Sequence, residues 1–355
     1  ALYSGTGATR KTVTNDGNSD LQPDLFWFKR RDSAAAHVIA DTNRGANVAG
    51  PVGYTIAANP NSTATDVAEG KGIMTITSNG FTVEEQVHAA GNVNTGSMVC
   101  WQWKCNGGTE QATVSESGNN PGHTRQTNVT AGLSIIVYTG TGAVGTIAHG
   151  LGKAPEVLIV KNGSVAVDWA VYHRGMTDAG YTLALNNKDA QVDSGTNRWN
   201  HTAPTSSVVH VGTGQQTNQD AKSFLMYAFT SIQGYSKFGS YLGNGNADGP
   251  FVFTGFKPAW VMIKNIINGG YNWAIMDNTR TPTNANGTYE WLWPDITGAE
   301  FTDGDSGINM EIDFLSNGFK IRTARGELNL ASTFVYMAFA ENPFVTSTGV
   351  PTTAR

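Results

Sequence analysis

Charge, cysteine and long apolar runs are all scarce in this chain. Only 14% of its 355 residues are charged, with 23 basic and 28 acidic side chains and a net charge of -5. No block of Lys and Arg stands out, which argues against a surface that tracks nucleic-acid phosphates. Cys100 and Cys105 are the only cysteines. Five residues apart on one strand, they would point to opposite faces, so no disulfide is expected between them. A chain that does not rely on disulfides suits a cytosolically assembled protein. No apolar run nears the roughly 20 residues of a membrane-spanning helix, so membrane insertion is not expected. No signal-like start is visible, and an opening on Ala1 points to a removed initiator Met or an upstream segment. The seven histidines show neither His-x-His nor His-Glu-x-x-His spacing, which argues against zinc. A Gly-x-Ser-x-Gly elbow and a P-loop are also missing.

What is present is glycine, 42 residues of it, together with much Asn and Thr, the profile of a turn-rich β protein. Its order is repetitive. Tyr-x-Gly-x-Gly occurs at Tyr3-Gly5-Gly7, Tyr138-Gly140-Gly142 and Tyr241-Gly243-Gly245. A Pro follows each, with a Lys six residues later and a nearly unbroken apolar run between: Pro23 to Lys29, Pro155 to Lys161 and Pro258 to Lys264. A second apolar stretch then ends at Asp41, His173 and Asp277. Copies one and three share Asp-x-x-Arg (Asp41/Arg44, Asp277/Arg280) and Ser-Asn-Gly-Phe ending at Phe81 and Phe319. Every copy closes on an aromatic run, around Trp101, Tyr227 and Tyr336. Copy two lacks Ser-Asn-Gly-Phe and is the divergent member.

An internal repeat constrains architecture before any local pattern does. Short β-branched and aromatic segments bounded by Gly, Asn, Asp or Pro predict strands at 24–29, 36–41 and 98–104, at 133–138, 156–161, 168–173 and 223–229, and at 259–264, 272–277, 318–323 and 333–339. The run 258–264 lacks clean alternation, so both of its faces should be covered. The fold class is therefore all-β, with three tandem, related, sandwich-like units: 1–106, 131–232 (divergent) and 233–355. Residues 107–130, rich in Asn, Gly and Thr, read as a linker or long loop. Tyr-x-Gly-x-Gly is expected to open a hairpin. Helical turns are suggested only at 62–69 and, more weakly, at 84–90.

The Pro-to-Lys strand, Asp-x-x-Arg, Ser-Asn-Gly-Phe, the closing aromatic strand and Gly234-Tyr235-Ser236-Lys237-Phe238-Gly239-Ser240-Tyr241 carry a family likeness. Together they resemble an uncharacterised repeat family of virion proteins from tailed bacteriophages, especially marine and cyanobacterial ones, often labelled tail fibre or structural protein. The resemblance implies a location on the virion surface, other virion proteins as partners, a homotrimer, and contact with the host envelope. A capsid decoration protein that stabilises the shell is the alternative it allows. It transfers no catalytic residue, and the chain is read as a structural and interaction protein, not an enzyme.

Two candidate sites arise from the residues themselves. Trp199, Trp291 and Trp293 lie outside the repeated strands beside Asn, His and Asp. Exposed there, with Asp295, they would suit stacking on a host surface glycan, the reading of the chain as a lectin-like module. Alternatively they plug sandwich ends or subunit contacts. Asp303, Asp305, Asn309 and Glu311 place oxygen ligands in a Gly-rich segment that suggests calcium, although turn chemistry explains the same pattern. No other cofactor is implied. Each Asp-x-x-Arg pair could bind a polar ligand or, more simply, fix a strand-end turn. Asp295, Glu300 and Glu311 are carboxylates that nothing promotes to a glycosidase pair.

Overall fold

The computed structural model describes residues 1–15, 20–44, 53–57, 67–69, 73–84, 92–107, 109, 111–282, 284, 289–304 and 307–341. Among them are 28 strands and one short helix, so the fold is all-β. Its antiparallel sheets are explained by the short apolar segments and Gly-rich turns between them.

Three main sheets share one strand order. In the first, Leu2–Ser4 pairs with Ser97–Trp103, then comes Leu25–Arg30, then Val38–Asp41. In the second the sequence is Leu133–Thr139, Ser223–Phe229, Val157–Asn162 and Ala170–His173. In the third it is Ser236–Leu242, Thr333–Ala340, Pro258–Asn265 and Ala274–Asp277. The registers agree as well: Lys29, Lys161 and Lys264 lie opposite Val99, Leu225 and Val335.

Tyr-x-Gly-x-Gly does not open a hairpin. Its tyrosines sit on the strand beside the closing aromatic one, opposite Met98, Phe224 and Phe334. The chain then turns a corner onto a second, smaller sheet. At the first Gly of each motif a Cβ would lie within 1.8–2.2 Å of a backbone carbonyl, of Val93, Gln219 or Leu330. The second Gly adopts a φ of +65° to +67°. Only glycine meets both demands cheaply.

The smaller sheets are Arg10–Thr14 with Gly80–Glu84 and Ile73–Thr77, Gly145–Ala148 with Val208–Val211, and Phe251–Phe253 with Gly318–Ile321 and Ile312–Leu315. Each covers the outer face of its main sheet, giving three sandwiches. Phe81 and Phe319 are fully buried on these sheets, and Phe81 meets Phe26 and Phe28 edge-on at 5.4 Å each. Register puts Val209 in the same place in the second sandwich, which accounts for its missing Ser-Asn-Gly-Phe.

The inner faces of the main sheets meet one another. Along the central strands of the first and third sandwiches residues alternate: Phe26 and Phe28 face the small sheet, Leu25 and Trp27 face inward. Val261 and Ile263 likewise face outward, and Trp260 and Met262 inward. Both faces are thus covered, and that is why the strand sequence lacks a polar alternation. The inward residues of all three sandwiches enter one core, where Trp103 lies 5.7 Å from Trp260 and 5.6 Å from Phe339, and Phe229 lies 6.1 Å from Phe339. An apolar void of only about 20 Å³ remains between them, lined by Trp27, Ile159 and Met262 among others. Those three residues occupy one register position, so the sandwiches surround a pseudo-threefold axis.

Other sequence expectations need revision. Residues 107–130 include Ala112–Val114 and His123–Asn128, which extend the second main sheet instead of linking units. Their polar side chains hid the strand: His123 and Gln126 are buried, and the His123 ring bonds the carbonyls of Pro121 and Ala148. Val67–Glu69 is a strand, not helix, and Glu84 ends another; 62–66 and 85–90 lie outside the described residues. The helix present, Gly326–Asn329, was not anticipated. Cys100 and Cys105 are free and buried, and burial pushes both thiols far up. Among the described residues no helix is long and apolar enough to cross a membrane.

Candidate functional site

The tryptophans expected to face solvent are buried: Trp199 is 1% exposed, Trp291 0% and Trp293 9%. Trp291 stacks on Phe301 at 5.9 Å, Trp293 lies 4.4 Å from the same ring, and Trp199 meets Tyr172 edge-on at 6.0 Å. Indoles carry too much apolar area to stay wet when a sheet face is available. They plug sandwich layers and offer no stacking surface to a glycan. Asp295 is equally enclosed. Its carboxylate accepts the Trp273 N–H at 3.1 Å and the Asn272 side-chain amide at 2.9 Å. Burial pushes its pKa up to about 7, against the pull of its hydrogen bonds and of Lys264.

In the suggested calcium segment, Asp303 accepts the Met310 N–H at 3.0 Å and the Tyr289 N–H at 3.4 Å. The Asn309 backbone carbonyl accepts from the Thr323 hydroxyl. Burial, then Asp303 and Asp313, raise the pKa of Glu311. Asp305 lies outside the described residues. Among the described residues, no group of three His, Cys, Asp or Glu side chains converges as a metal site.

The repeat landmarks are structural fasteners. Arg44 and Arg280 each place Nε 2.6 Å from the carboxylate three residues earlier and donate their backbone N–H to it, the strand-end turn reading. Each pair also reaches a neighbouring sandwich. Asp41 accepts from the Tyr227 hydroxyl at 2.9 Å, and Asp277 accepts from Trp101 Nε1 at 2.9 Å. At the third such position His173 Nε2 donates to the Tyr336 carbonyl at 3.1 Å, while its Nδ1 accepts the Gly175 N–H. Burial lowers the His173 pKa to about 4, so this ring is neutral. The three contacts run one way round a ring: first sandwich to second, second to third, third to first.

The three lysines are buried and spend their ammonium groups on carbonyls: Lys29 on Arg30, Lys161 on Val167 and Lys264 on Tyr271. Burial lowers the pKa of Lys29 and Lys264 to about 8 each. Tyr138 and Tyr241 stack on Phe224 and Phe334 at 5.0 and 5.1 Å and donate to the carbonyls of Thr217 and Leu328.

Sequence reasoning missed a further trio. Asn92, Asn218 and Asn329 are fully buried. Each accepts, through Oδ1, the N–H of the residue between the two motif glycines, Thr6, Thr141 or Asn244, at 2.8–2.9 Å. Each carbonyl then accepts the N–H of the second Gly. The signal was present: an Asn five or six residues before the closing-strand residue that faces the motif Tyr.

One open pocket, of about 310 Å³, lies on the second sandwich beside the third. Its lining includes Asp168, Thr182, Ala184, Asn197, Arg198 and Gln216. That volume falls in the range of small-molecule sites.

These features define an all-β protein of three sandwiches closed round a common core by buried polar locks. Over residues 1–343 the chain matches the family described as a domain of unknown function (DUF7483), and it belongs to that family. The matched span runs through all three sandwiches. No curated protein and no solved structure matches the chain.

Proposed function

We propose that this protein is a structural component of a tailed-bacteriophage virion surface, a tail fibre or similar appendage that contacts the host envelope. One observation carries the proposal. The residues that recur in the chain, Tyr, Lys, Asp/Arg and the aromatic strand, are buried and devoted to holding sandwiches together, so what the sequence repeats is scaffold. The resemblance to virion proteins supplies the location. On this reading the chain is three copies of one module, with the second divergent, and acts by binding other virion proteins without catalysing a reaction. Three chains of this pseudo-threefold protein would form the homotrimer that the resemblance implies.

Cryo-electron microscopy of the phage encoding the protein tests this. Density for the three sandwiches on a tail appendage supports the proposal. Density on the capsid lattice favours the decoration alternative, and a particle without the protein defeats both. Light scattering of the isolated protein should give three times the mass of one 37.7 kDa chain. The lectin-like reading survives through a different feature from the buried tryptophans, the pocket on the second sandwich.

A further inference from the structure

The second and third sandwiches differ where that pocket lies. Pairing sets Leu183 against Val171 and Leu292 against Ile275. Thr182 and Ala184 therefore stand where the third sandwich has Trp291 and Trp293. Three residues beyond each Leu, Asn186 and Asp295 play one role, accepting the N–H of Trp169 and of Trp273. In the third sandwich the two indoles and Phe301 fill this layer. In the second, small side chains leave it open.

The opening is held in shape by the neighbouring sandwich. Trp273 Nε1 donates to the Ala184 carbonyl at 2.9 Å, Gln191 N–H to the Ile266 carbonyl at 2.9 Å, and Gly270 N–H to the Lys188 carbonyl at 2.8 Å. Such a preformed cleft at a junction of layers is a usual place for a ligand.

Several of its polar groups keep capacity to spare. The Arg198 guanidinium lines the pocket and makes no hydrogen bond or ion pair among the described residues. Asp168 uses one carboxylate oxygen on Asn186, at 2.7 Å, and leaves the other open. Asp189 and Asp193 add carboxylates, one oxygen of Asp193 already accepting the Gly195 N–H at 2.8 Å, and Asn197 and Gln216 add amides. Ala184, Ala190 and Val192 add apolar lining. An anion here would meet three carboxylates, and a cation would meet Arg198. A neutral polyol suits both, since hydroxyls donate to carboxylates, accept from guanidinium and leave C–H faces for the apolar lining.

We infer that this pocket binds one neutral hexose residue, free or at the end of a surface glycan. The inference rests on the host-contact reading only for the source of the sugar; binding itself is independent of where the protein sits on the particle. Saturation-transfer NMR and calorimetry with glucose, galactose, mannose and N-acetylglucosamine test it on the full chain. The parent protein should bind at least one of them saturably. Arg198→Met should weaken that binding about tenfold or more, the scale of a lost charged hydrogen bond. Ala184→Trp, which restores the bulk found in the third sandwich, should abolish it. Circular dichroism checks that both variants fold, and Asp168→Asn serves as a second polar variant should either fail. No saturable binding of any of the four sugars by the parent overturns the inference. So does undiminished binding by folded variants, or tighter binding of glucuronate or inorganic phosphate than of the neutral sugars.

Discussion

Replacing Asp295 by Asn should stabilise the protein at neutral pH and leave it unchanged in acid. The carboxyl is 1% exposed, and burial raises its pKa to about 7. In an unfolded chain Asp titrates near 3.9, roughly three units lower. Between these values the native state holds a proton that the unfolded state has released. Stability from this group is therefore complete below about pH 4 and is lost as pH rises toward 7. At about 1.4 kcal/mol per unit the ceiling is about 4 kcal/mol. Lys264 lowers that figure, because its charge favours the Asp295 anion and loses a partner in the variant. We expect about 2 kcal/mol at pH 7.5. The second sandwich already uses the amide: Asn186 Oδ1 accepts the Trp169 N–H at 2.9 Å, as Asp295 does for Trp273 at 3.1 Å. Urea unfolding of parent and variant at pH 4, 5, 6, 7 and 7.5 gives the difference directly. A difference that grows with pH supports the reasoning. Parallel curves, or a variant less stable than the parent at pH 7.5, refute it.

Asp277→Ala should cost about 3 kcal/mol, because buried Arg280 keeps only Glu300 of its two carboxylates and Trp101 Nε1 loses its acceptor; denaturant unfolding measures this. Burial alone would raise the Asp277 pKa, but Arg280 outweighs it and holds the group below its ordinary value. Its stabilisation is present above about pH 4 and fades as pH falls through that depressed value, so Asp277→Asn should flatten the acid limb of a stability–pH curve. Trp103→Ala removes edge-on contacts with Trp260 and Phe339 and should cost about 3–5 kcal/mol, with one calorimetric transition retained if the sandwiches share one core. Asn218→Ala strands the Thr141 N–H and the carbonyls of Ala143 and Gly212, and a loss of about 2–3 kcal/mol in thermal or chemical unfolding is expected.

The strands of this protein were legible because their signals are local. Pro155 to Lys161 and Pro258 to Lys264 are apolar runs between turn residues, and each is a central strand. The Asp-x-x-Arg turns were legible for the same reason, since a carboxylate and a guanidinium three residues apart meet without help from the rest of the chain. The tryptophans misled because their polar neighbours, Glu290 and Asp295 or Asn200 and His201, suggested a wet surface. Trp291 and Trp293 instead share one side of a strand that another layer covers, and Asp295 turns back to cap the Trp273 N–H. The strand His123–Asn128 escaped because its buried positions carry His, Gln and Thr, satisfied by hydrogen bonds that only folding supplies. The ring escaped because its locks join residues far apart: Tyr227 to Asp41 spans 186 positions and Trp101 to Asp277 spans 176. The pocket is legible only by comparing copies, as the absence of two indoles.

Closure within one chain also explains why the three seams are unlike. Consecutive sandwiches are tethered by short connections, but the third must find the first without one. Among the described residues that seam carries the most charge. Arg280 holds Asp277 at 2.6 Å and Glu300 at 2.8 Å, and Glu300 in turn lies 2.6 Å from Arg31 of the first sandwich. Arg31 and Glu300 are 269 residues apart, and a flexible chain of that length would cost about 5 kcal/mol to close. Backbone bonds reinforce the seam: Ala35 N–H donates to Thr297 and Glu300 N–H to Arg31, each at 2.8 Å. Between the second and third sandwiches, where the chain supplies the tether, the corresponding lock is one neutral imidazole, His173. In a homotrimer every seam would have to be identical. One chain lifts that requirement, so the second sandwich can carry His173 where the others have Asp and Thr182 and Ala184 where the third has tryptophans, and the space beside them is where the sugar is expected.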